Sequence, residues 1–164
     1  MRLFAVAAIA AASLVLAACG PKPGQTVKID GKDAHVTVSG DNGTVTVKSD
    51  DGKQTVQWNA GGMGSAQMPD FAPLYPGAKV EGSVAANSSE GGLVAFEASA
   101  KPEEVIAFYR QKSTAAGLQQ KLNMTMEGGL TYMASRDNDK KAIQVVATRT
   151  GDGSHVQVTW QNKN

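Results

Sequence analysis

One cysteine, Cys19, stands among 164 residues, so no disulfide can form within the chain and its stability must come from packing. Aromatic residues are scarce, at 5% of the sequence, which leaves any core to be built mainly from aliphatic side chains. Neither sign of charge dominates: 16 basic and 15 acidic residues give a net charge of +1. With no basic patch, nucleic acid is not an expected partner. Only two histidines occur, His35 and His155, and neither belongs to a metal-type spacing. No serine elbow, phosphate-cradling glycine loop or cysteine nucleophile is legible. A long hydrophobic run is also missing. Leu3 to Leu16, broken by Ser13, is shorter than the roughly 20 apolar residues that a spanning helix needs.

What is present begins at the N-terminus. Arg2, the apolar stretch Leu3–Leu16 and the small residues Ala17 and Ala18 have the tripartite layout of a secretory signal. The run Leu16-Ala17-Ala18-Cys19-Gly20 resembles the lipobox of bacterial lipoproteins. That resemblance implies cleavage before Cys19, a thioether-linked diacylglyceryl group on its sulfur and usually an acyl chain on its amine. Two or more chains anchor stably, whereas one is marginal. Gly20, in place of an aspartate, then leans toward the outer membrane over the inner one, if the source has two membranes. The competing readings are an ordinary cleaved signal with a chance cysteine, or a helical anchor. Loss of residues 1–18 removes one basic side chain and no acid, so the mature chain is near neutral.

Residues 19–25 read as a short lipidated tether, because Pro21, Pro23 and Gly24 oppose regular structure. An internal repeat spans 26–59. The pairs Val27/Ile29, Val36/Val38, Val45/Val47 and Val56/Trp58 each alternate with polar residues, which is the period of a half-buried strand. Asp, Asn and Gly clusters between them supply hairpin turns. The pattern predicts a four-strand meander with its Val/Ile/Trp face inward. Four short strands are marginal alone, so the meander is expected to pack on the rest of the chain or on a partner. A stacked β-helix or a loosely ordered spacer remains open. A calcium β-roll does not fit, since the turns lack the Gly-Gly-x-Gly-x-Asp pattern. Residues 60–74, rich in glycine and proline, are expected to form a linker that places Met63 and Met68 in a flexible segment.

Residues 75–164 predict an α+β domain of two layers: an antiparallel sheet covered on one face by a single helix over 102–116. Pro102 suits the first helical position, Glu103 and Glu104 complement the helix dipole, and Gly117 fits just past the end. Alternation places Ala78, Val80, Gly82 and Val84 on one face of the first strand. It places Leu118, Leu122, Met124 and Met126 on one core-facing side of a later strand. Tyr75-Pro76-Gly77-Ala78, together with Pro102-Glu103-Glu104-Val105-Ile106-Ala107-Phe108-Tyr109 and Gly117, resembles a small α+β domain recurrent in bacterial envelope lipoproteins. The resemblance implies a fold and no catalytic residue.

The remaining chemistry is sparse. Both histidines fall on polar strand faces. Met63, Met68, Met124, Met126 and Met133 raise a thioether site for cuprous ion, against which Met124 and Met126 read as core. Trp58, Trp160, Tyr75, Tyr109 and Tyr132 read as core fillers. The expected function is a non-catalytic, lipid-anchored envelope protein that works through protein contact or as an accessory subunit. It needs no cofactor or metal, touches the membrane through Cys19 and has an envelope protein as partner. The alternative is a small-ligand or lipid binder in which helix and sheet open a pocket, with Gly91-Gly92 and Gly128-Gly129 as mobile rims.

Overall fold

The computed structural model describes residues 25–29, 32–39, 44–49, 55–63, 67–86, 90–136 and 140–163. The leader 1–18, Cys19, most of the tether and the turns between the first four strands lie outside the described residues. Among the described residues, ten strands and one helix follow in order: β1 (Gln25–Ile29), β2 (Lys32–Ser39), β3 (Thr44–Ser49), β4 (Thr55–Ala60), β5 (Lys79–Ala86), β6 (Gly91–Ala98), α1 (Pro102–Ala115), β7 (Gln119–Met126), β8 (Gly129–Arg136), β9 (Lys141–Thr150) and β10 (Gly153–Asn162). They form one antiparallel sheet in the order β1-β2-β3-β4-β5-β6-β10-β9-β8-β7. The class is α+β, with the helix over β7–β9.

The meander over residues 26–59 is present, but it joins the second half edge to edge. β4 pairs with β5, with Val56 opposite Ala86 and Trp58 opposite Val84. Each added strand completes the backbone hydrogen bonds of its neighbour, which leaves β1 and β7 as the two open edges.

Local chemistry sets the helix ends. The Lys101 backbone N–H donates to the Glu104 carboxylate at 3.1 Å. At the other end Gly117 takes φ +77°, the left-handed conformation that a Cβ disfavours. This lets the Gly117 and Leu118 amides donate to the Thr114 and Ser113 carbonyls, both at 2.9 Å, closing the helix as a Schellman motif. Arg136 of β8 adds a hydrogen bond from Nη1 to the Ala116 carbonyl at 3.2 Å. Val105, Ile106 and Tyr109 then bury against Val94, Phe96, Tyr132, Val145, Val156 and Val158. The Ser113 hydroxyl shares a hydrogen bond of 2.7 Å with Tyr132, tying α1 to β8.

Of residues 60–74, expected as a linker, 60–63 and 67–74 are described, and their larger apolar side chains pack on the core. Ala60 ends β4, Phe71 and Ala72 are buried, and Met63, Met68 and Leu74 pack on the core. The Ser83 hydroxyl lies 2.9 Å from the Gly62 carbonyl and 2.8 Å from that of Met63. Tyr75 then meets Phe108 of α1 edge to face at 5.1 Å between ring centres. Glycine and proline gave this segment an extended path. Its few apolar side chains turned the path into a strap over the helix-side face.

Two β-bulges decide which side chains share a face. In β5 the register shifts between Val80 and Gly82, and in β7 it shifts between Gln120 and Leu122. Each extra residue, Glu81 and Lys121, reverses the alternation that follows it. Ser83 and Ala85 are therefore buried toward the helix side, whereas Gly82 and Val84 face away. Leu122, Met124 and Met126 likewise leave the face of buried Leu118, and all three are exposed. The core positions expected for Met124 and Met126 are corrected accordingly. The expected inward face of the meander is corrected too. Val45, Val47, Val56 and Trp58 share the face of Val84 and Ala86, opposite to the helix, and Trp58 is 47% exposed. Of the five Tyr and Trp residues, Trp58 alone lies outside the expected filler role: Tyr109, Tyr132 and Trp160 are buried, and Tyr75 packs on the core.

Candidate functional site

The residues singled out from sequence do not converge. Cys19 lies outside the described residues. His35 is exposed on β2. His155 on β10 pairs through Nε2 with the Glu81 carboxylate at 2.8 Å. Glu103 receives a hydrogen bond from Arg149 at 3.1 Å, while Glu104 caps the helix. Among the described residues no group of three or more His, Cys, Asp or Glu is placed to hold a metal ion. Met63 and Met68, in the strap, pack against the core, apart from exposed Met124, Met126 and Met133.

Between α1 and the sheet the facing side chains, Val105, Ile106 and Tyr109 on one side and Val94, Phe96 and Tyr132 on the other, are buried from solvent. Beside the expected pocket between helix and sheet stands a groove on the opposite face. An open cavity of about 900 Å³ lies at one end of β7–β10. Two cross-strand rows build it. One runs Gln119, Ser135, Ala142, Gln161, and the other Met133, Gln144, Thr159. Strand alternation points all seven away from the helix. Ala134, Ile143 and Trp160 complete the lining, with Lys121 and Arg136 at the margin. Lys121 is the extra residue of the β7 bulge, between Gln120 and Leu122.

The lining is mixed in character. Three glutamines, one serine and one threonine offer donors and acceptors; Met133 and Ala142 offer apolar contact. Its charged members are Lys121 and Arg136, both cationic, with no carboxylate among the lining residues. Such a surface accepts a neutral or anionic polar group beside a short apolar one, and disfavours a cation.

Among the described residues, Trp160 Nε1 and Tyr109 Oη of the adjoining core are buried side-chain atoms that meet no partner within hydrogen-bond geometry. An unpaired buried donor is uncommon and costs about 1–3 kcal/mol. Burial pushes the Tyr109 phenol well above its ordinary pKa, and the nearby Tyr75 backbone offsets this only in part. Of the four glycines expected to act as mobile rims, Gly91, Gly92 and Gly129 are contact positions, and Gly128 is a turn residue with φ +79° and open space about it. A Cβ on Gly92 would lie 2.5 Å from the Trp160 ring and 2.6 Å from the Val84 carbonyl, and one on Gly129 would lie 2.9 Å from the Ala147 carbonyl.

This groove had no simple sequence signal. Its members come from four strands, and only the cross-strand register brings Gln119, Met133, Gln144 and Thr159 together. No helix of the described residues is long and apolar enough to cross a membrane.

No curated protein and no solved structure matches the chain. A family model described as START domain-like matches residues 78–162, from the first residues of β5 through β10 and including α1. The match covers more than half of the sequence, and the chain belongs to the START domain-like family.

Proposed function

We propose that this is a lipid-anchored, extracytoplasmic binding protein that holds a small amphiphilic ligand in the groove at the ends of β7–β10. The observation that carries the reading is the groove itself, about 900 Å³, within the range of roughly 300–1,000 Å³ usual for small-molecule sites. Membership of the START domain-like family supports it, because that fold suits ligand or lipid binding. The lining favours a ligand with a neutral or anionic head near Lys121 and a short apolar part near Met133. The resemblance of Leu16-Ala17-Ala18-Cys19 to a lipobox supports the anchor at Cys19, in the outer membrane by the Gly20 criterion.

Native mass spectrometry of protein purified from cells tests the ligand. A bound species should appear with the wild type and be lost from Gln144→Trp, which fills the groove from an exposed position. Titration with fatty acids and lysophospholipids checks the class. The absence of saturable binding to either, together with no co-purified species, would overturn the reading. Metabolic labelling with a fatty-acid analogue, with Cys19→Ser as control, tests the anchor.

A second reading, docking of an envelope protein, is favoured by one feature. Leu122, Met124, Met126 and Met133 lie exposed together on the open-edge strand β7 and its neighbour. Methionine surfaces adapt to varied partners. Crosslinking in cells would detect such a partner, and Met124→Asp should abolish its capture.

A further inference from the structure

We propose that the apolar face of the meander lies against the surface of the bilayer that holds Cys19; this rests on the anchor reading above. Val36, Val45, Val47, Val56, Trp58 and Val84 occupy one face of β2–β5, set by cross-strand pairing. Val56 and Trp58 are 42% and 47% exposed. Strand alternation sends the polar residues of the same strands to the other face: His35, Thr37, Thr46, Lys48, Gln57 and Asn59. The helix, the strap and the core all lie on that polar side. Had the meander's valines evolved to complete this chain's own core, the register would have placed them there. A slip of one residue suffices to exchange the faces. The bulge at Glu81 fixes the opposite outcome by turning Val84 away from the core to meet Trp58.

The occupant is indicated by where the chain leads. β1 begins at Gln25, and only residues 20–24 separate it from Cys19. Six residue steps span at most about 20 Å even when fully extended. β4 lies three strands from β1, about 14 Å away across the sheet. Acyl chains on Cys19 would therefore hold Trp58 within a few tens of ångströms of the headgroups. The face itself suits that boundary. It carries no charged residue among its described side chains, and tryptophan is enriched at membrane interfaces. The ladder satisfies the backbone of β2–β5, so the sheet can lie flat on lipid without presenting unpaired amides. Leu93 and Thr159 continue the Trp58 row toward the groove, which gives an amphiphile a short path between bilayer and site.

The test uses the full chain, processed and acylated in a bacterial host, in vesicles of phosphatidylethanolamine and phosphatidylglycerol doped with phosphatidylcholine brominated on its acyl chains. Bromine quenches tryptophan only at close range. Trp160 is buried, so quenching should remove the Trp58 share of the emission, and Trp58→Phe should show none. A chain that floats with the vesicles but whose Trp58 is unquenched overturns this proposal and leaves the anchor standing. The proposal also fails if Trp58 is shielded from acrylamide while the mass doubles, since a second copy then covers the face. A chain that does not float overturns the anchor and the proposal together.

Discussion

Strands β2–β4 and strands β6 and β8–β10 belong to one ten-stranded sheet, yet they turn their apolar side chains to opposite faces. In β10, Val156, Val158 and Trp160 are buried under the helix and strap. In β4, Val56 and Trp58 alternate just as regularly and are exposed on the other side. Alternation alone makes both segments look like half-buried strands. What separates them is the presence of a second layer: α1 and the strap cover β5–β10 and do not extend over the valine face of the meander. An amphipathic strand thus records that one face meets something apolar. It does not record whether that something is the rest of the same chain.

The sharpest way to break this comparison is to cut one side chain in each region. Phe96 is fully buried on the helix side, so Phe96→Ala should cost about 3–5 kcal/mol through lost burial and a residual cavity. Val47 sits half-buried on a single-layer surface, so Val47→Ala should cost under about 1 kcal/mol in the absence of membrane. Urea unfolding followed by circular dichroism reads both. Equal costs would mean that the meander is packed as tightly as the core, and the contrast would be lost.

Next in size is overpacking at a glycine where the regions meet. Gly92 lies under the Trp160 ring and beside the Val84 carbonyl, and both are too close for a Cβ. Backbone on one side and a buried ring on the other leave little room to give. Gly92→Ala should therefore lose about 1–3 kcal/mol. Gly62, with nothing near its missing Cβ, should tolerate alanine within about 0.5 kcal/mol. Thermal melts of the two variants would compare them directly.

Much of the fold is legible in the sequence without these contacts. The helix can be read from Pro102, the apolar stripe of Val105 and Tyr109, and Gly117, because each is a local signal. The four meander strands can be read from Val-x-Val pairs separated by Asp and Gly. Two classes of fact are hidden. Bulges at Glu81 and Lys121 leave no mark in an alternating pattern, so Ser83 carries no sign of its core position and Met124 carries a false one. The strap is hidden because Gly61, Gly62 and Pro69 suggest a linker, while only five apolar side chains argue for packing. The groove is least legible. Gln119, Ser135, Gln144 and Thr159 are ordinary polar strand residues until register sets them side by side.

A smaller effect sharpens the contrast from the core side. Burial raises the folded-state pKa of Tyr109 above its unfolded value near 10. The unfolded chain therefore loses this proton first as pH rises. The stability linked to the neutral phenol is fully present below pH 10 and declines above it, by about 1.4 kcal/mol per pH unit until the folded phenol also ionises. Tyr109→Phe removes the group that ionises. Unfolding free energies at pH 9, 10 and 11 should fall less steeply in the variant than in the wild type. Parallel curves would show that Tyr109 reaches water in the folded protein.

The smallest expected effect separates the β7 edge from the core. If Met124 and Met126 were packed in the interior, shortening either would cost about 2–5 kcal/mol. They are instead 42% and 48% exposed, on an edge strand whose other edge is open. Met124→Thr and Met126→Thr each remove apolar area that water already reaches, and threonine keeps good strand propensity. Each should change stability by no more than about 0.5 kcal/mol. Mild peroxide adds an independent reading of the same geometry. It should convert Met124, Met126 and Met133 to sulfoxides before Met63 and Met68, which pack against the core. Peptide mapping over time gives the order. If Met63 and Met68 react as fast as the β7 pair, the strap is not closed over the sheet, and the second layer on which the contrast between the regions depends is missing.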